Sequence, residues 1–68
     1  MEKKESLLKL GALVRKLRND KQLSQVELAR KSNVNRNYIG MIERGEVNPT
    51  YMTLLSIAKS LGTSINIK

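Results

Sequence analysis

A chain of 68 residues with neither cysteine nor histidine has only packing and capping to hold it together. A domain that short buries about 60% of the surface its unfolded chain exposes. Scaffolds of this size usually lean on a disulfide, a structural metal or a partner subunit. Here disulfides and the common zinc frameworks are excluded. The expectation is one domain over residues 1–68, with a compact core that a second copy can complete.

That core should be helical. The chain has no Phe and no Trp, and apolar–polar alternation never persists, so strand signals are poor. Leu10, Val14 and Leu17 recur at helical spacing with Leu13 beside them, which predicts a first helix over about Ser6 to Asp20. Asp20-Lys21-Gln22 is a polar break. Ser24, with Glu27 three residues on, forms a capping-box pattern and opens a short helix from Gln25 to Lys31. Ser32-Asn33 breaks it. Asn35 is a plausible N-cap for a third helix, Arg36 to Glu43, which Gly45 ends as a left-handed terminator. Glu46 to Pro49 reads as a loop. Thr50 caps a fourth helix running to about Leu61, with Tyr51, Leu54, Ile57, Ala58 and Leu61 as its buried stripe, and Gly62 stops it.

Charge narrows the partner. The net charge is +7, and it is uneven. Residues 1–36 hold ten basic and four acidic side chains, residues 37–68 three and two. A basic half on a tiny domain suggests a polyanion; a well-solvated surface would give the same counts. No apolar run approaches the ~20 residues that span a bilayer. The start, MEKKESLLKL, lacks the apolar stretch of a signal peptide. A cytoplasmic protein with no membrane partner is expected.

Two short helices, Gln25–Lys31 and Arg36–Glu43, joined by a turn of three or four residues, form the layout of a helix-turn-helix. In that motif the second helix enters the DNA major groove. Ala29 allows close approach, and Leu28, Val34, Ile39 and Ile42 supply the inner face. Asn33 stands where such turns usually carry Gly, and Asn tolerates the left-handed conformation. An enzyme is not expected: with no His, no Cys, few carboxylates and no phosphate-cradling glycine loop, no catalytic constellation can be assembled. No metal, cofactor or small-molecule ligand is implied.

The residues that carry the motif also carry a resemblance. Leu23-Ser24-Gln25, Glu27-Leu28-Ala29, Ile39, Ile42-Glu43-Arg44-Gly45, Pro49 and the run Leu54 to Gly62, with Leu17-Arg18 upstream, resemble the Cro/repressor-like (XRE) helix-turn-helix family over about residues 10–65. The resemblance implies an all-α, lambda-repressor-like bundle of four to five short helices. It further implies double-stranded DNA as ligand and a homodimer on a near-palindromic operator. The tract Asn35-Arg36-Asn37-Tyr38-Ile39 is similar to controller proteins of restriction–modification systems, whose chains usually continue into a fifth helix. Phage repressors share much of the pattern. So do antitoxins, small proteins whose main partner is another protein.

Arg36 and Asn37 open the recognition helix, where side chains point into the groove. Arg suits the paired acceptors of guanine, and Asn suits adenine. Asn35 is grouped with them. Met41 lies one turn beyond Asn37, where it can touch a thymine methyl or be incidental surface. Arg44 closes the helix, where the dipole favours a cation, and phosphate contact is a second role. The resemblance implies that Gln25 contacts phosphate and braces the recognition helix. It implies that Tyr38 approaches the DNA backbone or the operator centre; packing against Arg44 or the following loop is the alternative. It also implies a partly buried ion pair of Arg18 with Glu43. Met52 and Leu55 share a face of the fourth helix, and Ile65 and Ile67 follow soon after. An apolar patch of that kind commonly marks an interaction site and is the expected dimer interface; the alternative is that the last residues fold back and cover Met52 and Leu55 within one subunit.

Overall fold

A computed structural model describes the backbone of residues 2–63 and the side chains from Lys4 to Thr63. It contains four helices and, among the described residues, no strand: α1 (Glu2–Asp20), α2 (Gln25–Ser32), α3 (Arg36–Glu43) and α4 (Tyr51–Ser60). The core gathers Val14 from α1, Leu28 and Ala29 from α2, Ile39 and Ile42 from α3, and Ile57 and Leu61 from α4 and its end. Helix α3 packs on both α1 and α2, while α4 packs mainly on α2. Ser56 reinforces that last contact, its hydroxyl donating to the Ser32 carbonyl at 2.6 Å.

Each of the three helices after α1 begins on a cap that the sequence names. Ser24 Oγ accepts from the Glu27 N–H at 3.0 Å, and Glu27 Oε1 accepts from the Ser24 N–H at 2.7 Å, closing the capping box. That second bond holds the Glu27 carboxyl below the usual carboxylate range. Thr50 caps α4 through the Thr53 N–H.

The four C-termini share one device. A left-handed residue follows each helix: Gln22, Asn33, Gly45 and Gly62. The next N–H then reaches back five residues, Leu23 to Arg18, Val34 to Ala29, Glu46 to Met41 and Thr63 to Ala58, at 2.9–3.0 Å. These bonds satisfy carbonyls that the helix leaves open. Asn33, Gly45 and Gly62 were readable as terminators. Gln22, at φ 59°, was not, because a long side chain rarely adopts that conformation.

Three expectations are corrected. Helix α1 begins at Glu2, not Ser6. Its first turn, Glu-Lys-Lys-Glu, carries no apolar stripe but is made of good helix formers. Tyr51 is 53% exposed rather than part of the buried stripe of α4. It is the first helical residue, and α4 meets the core through Ile57, Ala58 and Leu61 in its second half. Leu13, expected beside the α1 stripe, is 52% exposed, while Leu10 and Leu17 pack partly against the core.

Candidate nucleic-acid interface

Helix α3 divides cleanly. Ile39, Gly40, Ile42 and Glu43 are buried, and Arg36, Asn37 and Arg44 are exposed. The exposed set does not stand on a featureless surface. Arg36, Asn37, Gly40, Met41 and Arg44 of α3 and its end, with Gln25 from the start of α2, line one open depression of about 320 Å³. The floor is Gly40, and the absence of a side chain there makes the depression. A Cβ at Gly40 would lie 3.1 Å from Arg44 Nη1 and 3.7 Å from Gln25 Oε1. Gly40 belongs to no motif visible in the sequence. A glycine inside a helix costs about 1 kcal/mol relative to alanine, and that cost is the signal that a close approach occurs there.

Asn35 does not line the depression. Its Oδ1 accepts the Asn37 N–H at 2.7 Å, so the side chain is engaged as the cap that starts α3. Tyr38 is partly buried, with its side chain packed against the core. Met52 is 70% exposed and Leu55 partly buried on α4. Ile65 and Ile67 lie outside the described residues.

Beneath the exposed face sits a charge cluster that fixes its orientation. The Glu43 side chain is fully buried and Arg18 is 12% exposed. Arg18 Nε donates to Glu43 Oε2 at 2.7 Å and Arg18 Nη2 to Oε1 at 3.1 Å, a two-point fork. Arg18 Nη1 donates to the Leu23 carbonyl at 2.8 Å. Gln25 Nε2 donates to Glu43 Oε1 at 3.0 Å, and Arg15 Nε reaches the same oxygen at 3.4 Å. One carboxylate thus ties α1, the α1–α2 turn and the first residue of α2 to the end of α3. Burial pushes the Glu43 carboxyl up, but the bonds from Arg18, Gln25 and Arg15 outweigh it, and the net shift is downward. The same bond from Glu43 raises Arg18. Among the described residues no buried side-chain polar atom lacks a partner. Gln25 is therefore part of the brace before any ligand arrives.

Arg44 carries a second fork, on the outside. Its Nε donates to Glu46 Oε2 at 2.9 Å and its Nη2 to Oε1 at 3.2 Å. Glu46 was not singled out from the sequence, since a lone acid after a helix gives no cue to its partner. Among the described residues no group of acidic side chains could hold a metal ion, and no helix is long and apolar enough to cross a membrane.

Residues 14–67 match the helix-turn-helix family. The chain belongs to that family. This helix-turn-helix protein is 50% identical over 56 residues to the control protein C.SmaI of Serratia marcescens, covering 82% of this chain and 67% of that one. It is 37% identical over 57 residues to the immunity repressor protein of Bacillus phage phi105, covering 84% of this chain but 40% of the repressor's length. Its structure is similar to the restriction–modification controller protein C.AhdI from Aeromonas hydrophila, with a TM-score of 0.87 and 38% identity over 88% of this chain and 91% of that one. It is also similar to a variant of the controller protein C.Esp1396I bound to its highest-affinity operator site, with a TM-score of 0.80 and 40% identity over 85% of this chain and 76% of that one.

Proposed function

We propose that this helix-turn-helix protein is a sequence-specific regulator of transcription that binds double-stranded DNA in the cytoplasm as a homodimer. The observation that carries the reading is the shared depression. Gln25, Arg36, Asn37, Met41 and Arg44, from two helices, converge on one open face over a buried ion-pair brace. In this reading the start of α3 lies in the major groove. Arg36 forks onto guanine, Asn37 pairs with adenine, and Met41 meets a thymine methyl. Gln25 and Arg44 flank them on phosphates, which position the protein without carrying sequence information. Asn35 contributes by capping. Met52 and Leu55 form the described part of the face joining two copies, and a two-fold pair would place two recognition helices about 34 Å apart. Kinship with C.SmaI and C.AhdI favours restriction–modification genes as the regulated target.

Selection of random duplexes on the purified protein tests this. The expected product is a near-palindromic site. On that site Arg36→Ala should lose about 1–3 kcal/mol, the worth of one good fork to a base, with a much smaller loss on unselected DNA. Equal losses on both would assign Arg36 to phosphate. Failure to retain any duplex at low salt would overturn the reading.

A further inference from the structure

Arg44, one half of the Arg44–Glu46 fork, lines the face that the reading above gives to DNA. Arg44 lies back across Gly40 into the depression, its Nη1 set by the space a Cβ would fill. Glu46 is delivered to it by a fixed turn. Gly45 sits at φ 74°, and the Glu46 N–H donates to the Met41 carbonyl at 2.9 Å. The carboxylate then meets the guanidinium at two points. An arginine fork receives a carboxylate and a phosphate in the same planar, two-point way. Both side chains are about half exposed, 54% and 51%, so nothing buries the pair against exchange.

We propose that Glu46 is a built-in competitor for the phosphate that Arg44 receives. Seating a duplex exchanges the Arg44–Glu46 fork for an Arg44–phosphate fork. The proposal rests on the DNA-binding reading and adds an autoinhibitory contact to it. Two consequences follow from charge alone. Arg44 is already compensated in the free protein, so it adds little to the counterions released on binding. Once displaced, the Glu46 carboxylate stands near a phosphate of like charge. Glu46 therefore weakens attachment to every duplex, whatever its sequence, and limits trapping on non-cognate DNA.

The test is a double-mutant cycle of Glu46→Gln and Arg44→Ala. It is read as affinity for a fluorescein-labelled random-sequence duplex of about 24 base pairs, long enough for two half-sites, at about 50 and about 200 mM salt. Glu46→Gln should tighten binding by up to about fivefold at the lower salt, because the variant has no exposed ion pair to give up when Arg44 turns to phosphate, with a steeper salt dependence. In the Arg44→Ala background the same substitution should change affinity by less than about twofold, because no fork is left to exchange and the remaining repulsion between separated charges is weak in water. Equal gains in both backgrounds would overturn the exchange, leaving Glu46 as a general negative charge. Wild-type binding that Glu46→Gln does not alter would overturn it too, while the DNA reading stands. No wild-type binding at the lower salt would remove both.

Discussion

Glu43 and Glu46 are three residues apart, and each holds an arginine by a fork, yet they serve opposite purposes. Glu43 ends α3 facing inward, with no exposed side-chain surface, and binds Arg18 and Gln25 at once. Glu46 follows the left-handed Gly45, which turns the chain outward, and its only described partner is the half-exposed Arg44. Chemically the two pairs are alike; the solvent around them is not. A buried pair that loses one member strands the other in a poor dielectric and is costly to break. An exposed pair contributes little and exchanges freely. The inner fork therefore fixes where α3 points, and the outer one is available for ligand exchange.

The sharpest way to break the inner arrangement is to part α1 from α3. A Cβ at Gly11 would collide with the Ile42 carbonyl oxygen and lie 2.6 Å from that of Glu43. Both are backbone atoms and neither can rotate aside. Gly11→Ala should cost about 3 kcal/mol or more, at or above the upper end for overpacking. That is a large share of the roughly 3–10 kcal/mol that a domain of this size has in total. Urea unfolding measures it, and a loss under about 1 kcal/mol would mean the helices do not approach as described. The next effect is Glu43→Gln. The amide sets an N–H group against a donor of Arg18 or Gln25, so the expected cost is about 2–3 kcal/mol. A double-mutant cycle with Arg18→Met should show a coupling above about 1 kcal/mol. Additive losses would make the two charges independent.

Much of the inner arrangement was legible, and the reason is local. Ser24, Asn35, Thr50, Gly45 and Gly62 each do a job settled within a few residues of their own position, and the spacing of Leu28, Ile39 and Ile42 follows from one helix period. What escaped was set by contacts between elements. Gly11 and Gly40 matter for the atoms that approach them from elsewhere, and a missing side chain leaves no pattern of its own. Arg15 reaches Glu43 only after α1 and α3 have docked. Tyr51 matched the period of α4, yet the helix extends past the core at that end. Periodicity gives the face of a helix and not how far along it the neighbour reaches.

A smaller effect separates the two carboxylates by acid. The folded state holds Glu43 below its ordinary value of 4.5. Its contribution is therefore present above that value and is lost as pH falls through the depressed folded one. Wild-type unfolding midpoints in urea should decline as pH drops below about 4.5, and Glu43→Gln should flatten that decline. If the variant kept the full wild-type slope, the acid sensitivity would belong to Glu27, which the capping box also holds below the usual carboxylate range.

The smallest effect is the one that makes the comparison decisive. Glu46 is also held below the ordinary value, first by the Arg44 fork, so by direction alone it resembles Glu43. Its carboxylate and the Arg44 guanidinium are both open to water, however, and screening offsets what the fork supplies. Glu46→Gln and Arg44→Ala should lower the unfolding midpoint at neutral pH far less than Glu43→Gln does. The Glu46→Gln curve in acid should stay close to that of wild type. A loss in Glu46→Gln as large as that in Glu43→Gln would mean that the outer fork also holds the fold. It would then be too tightly kept to yield its arginine to a phosphate, and the division between a fixed inner pair and an exchangeable outer one would fail.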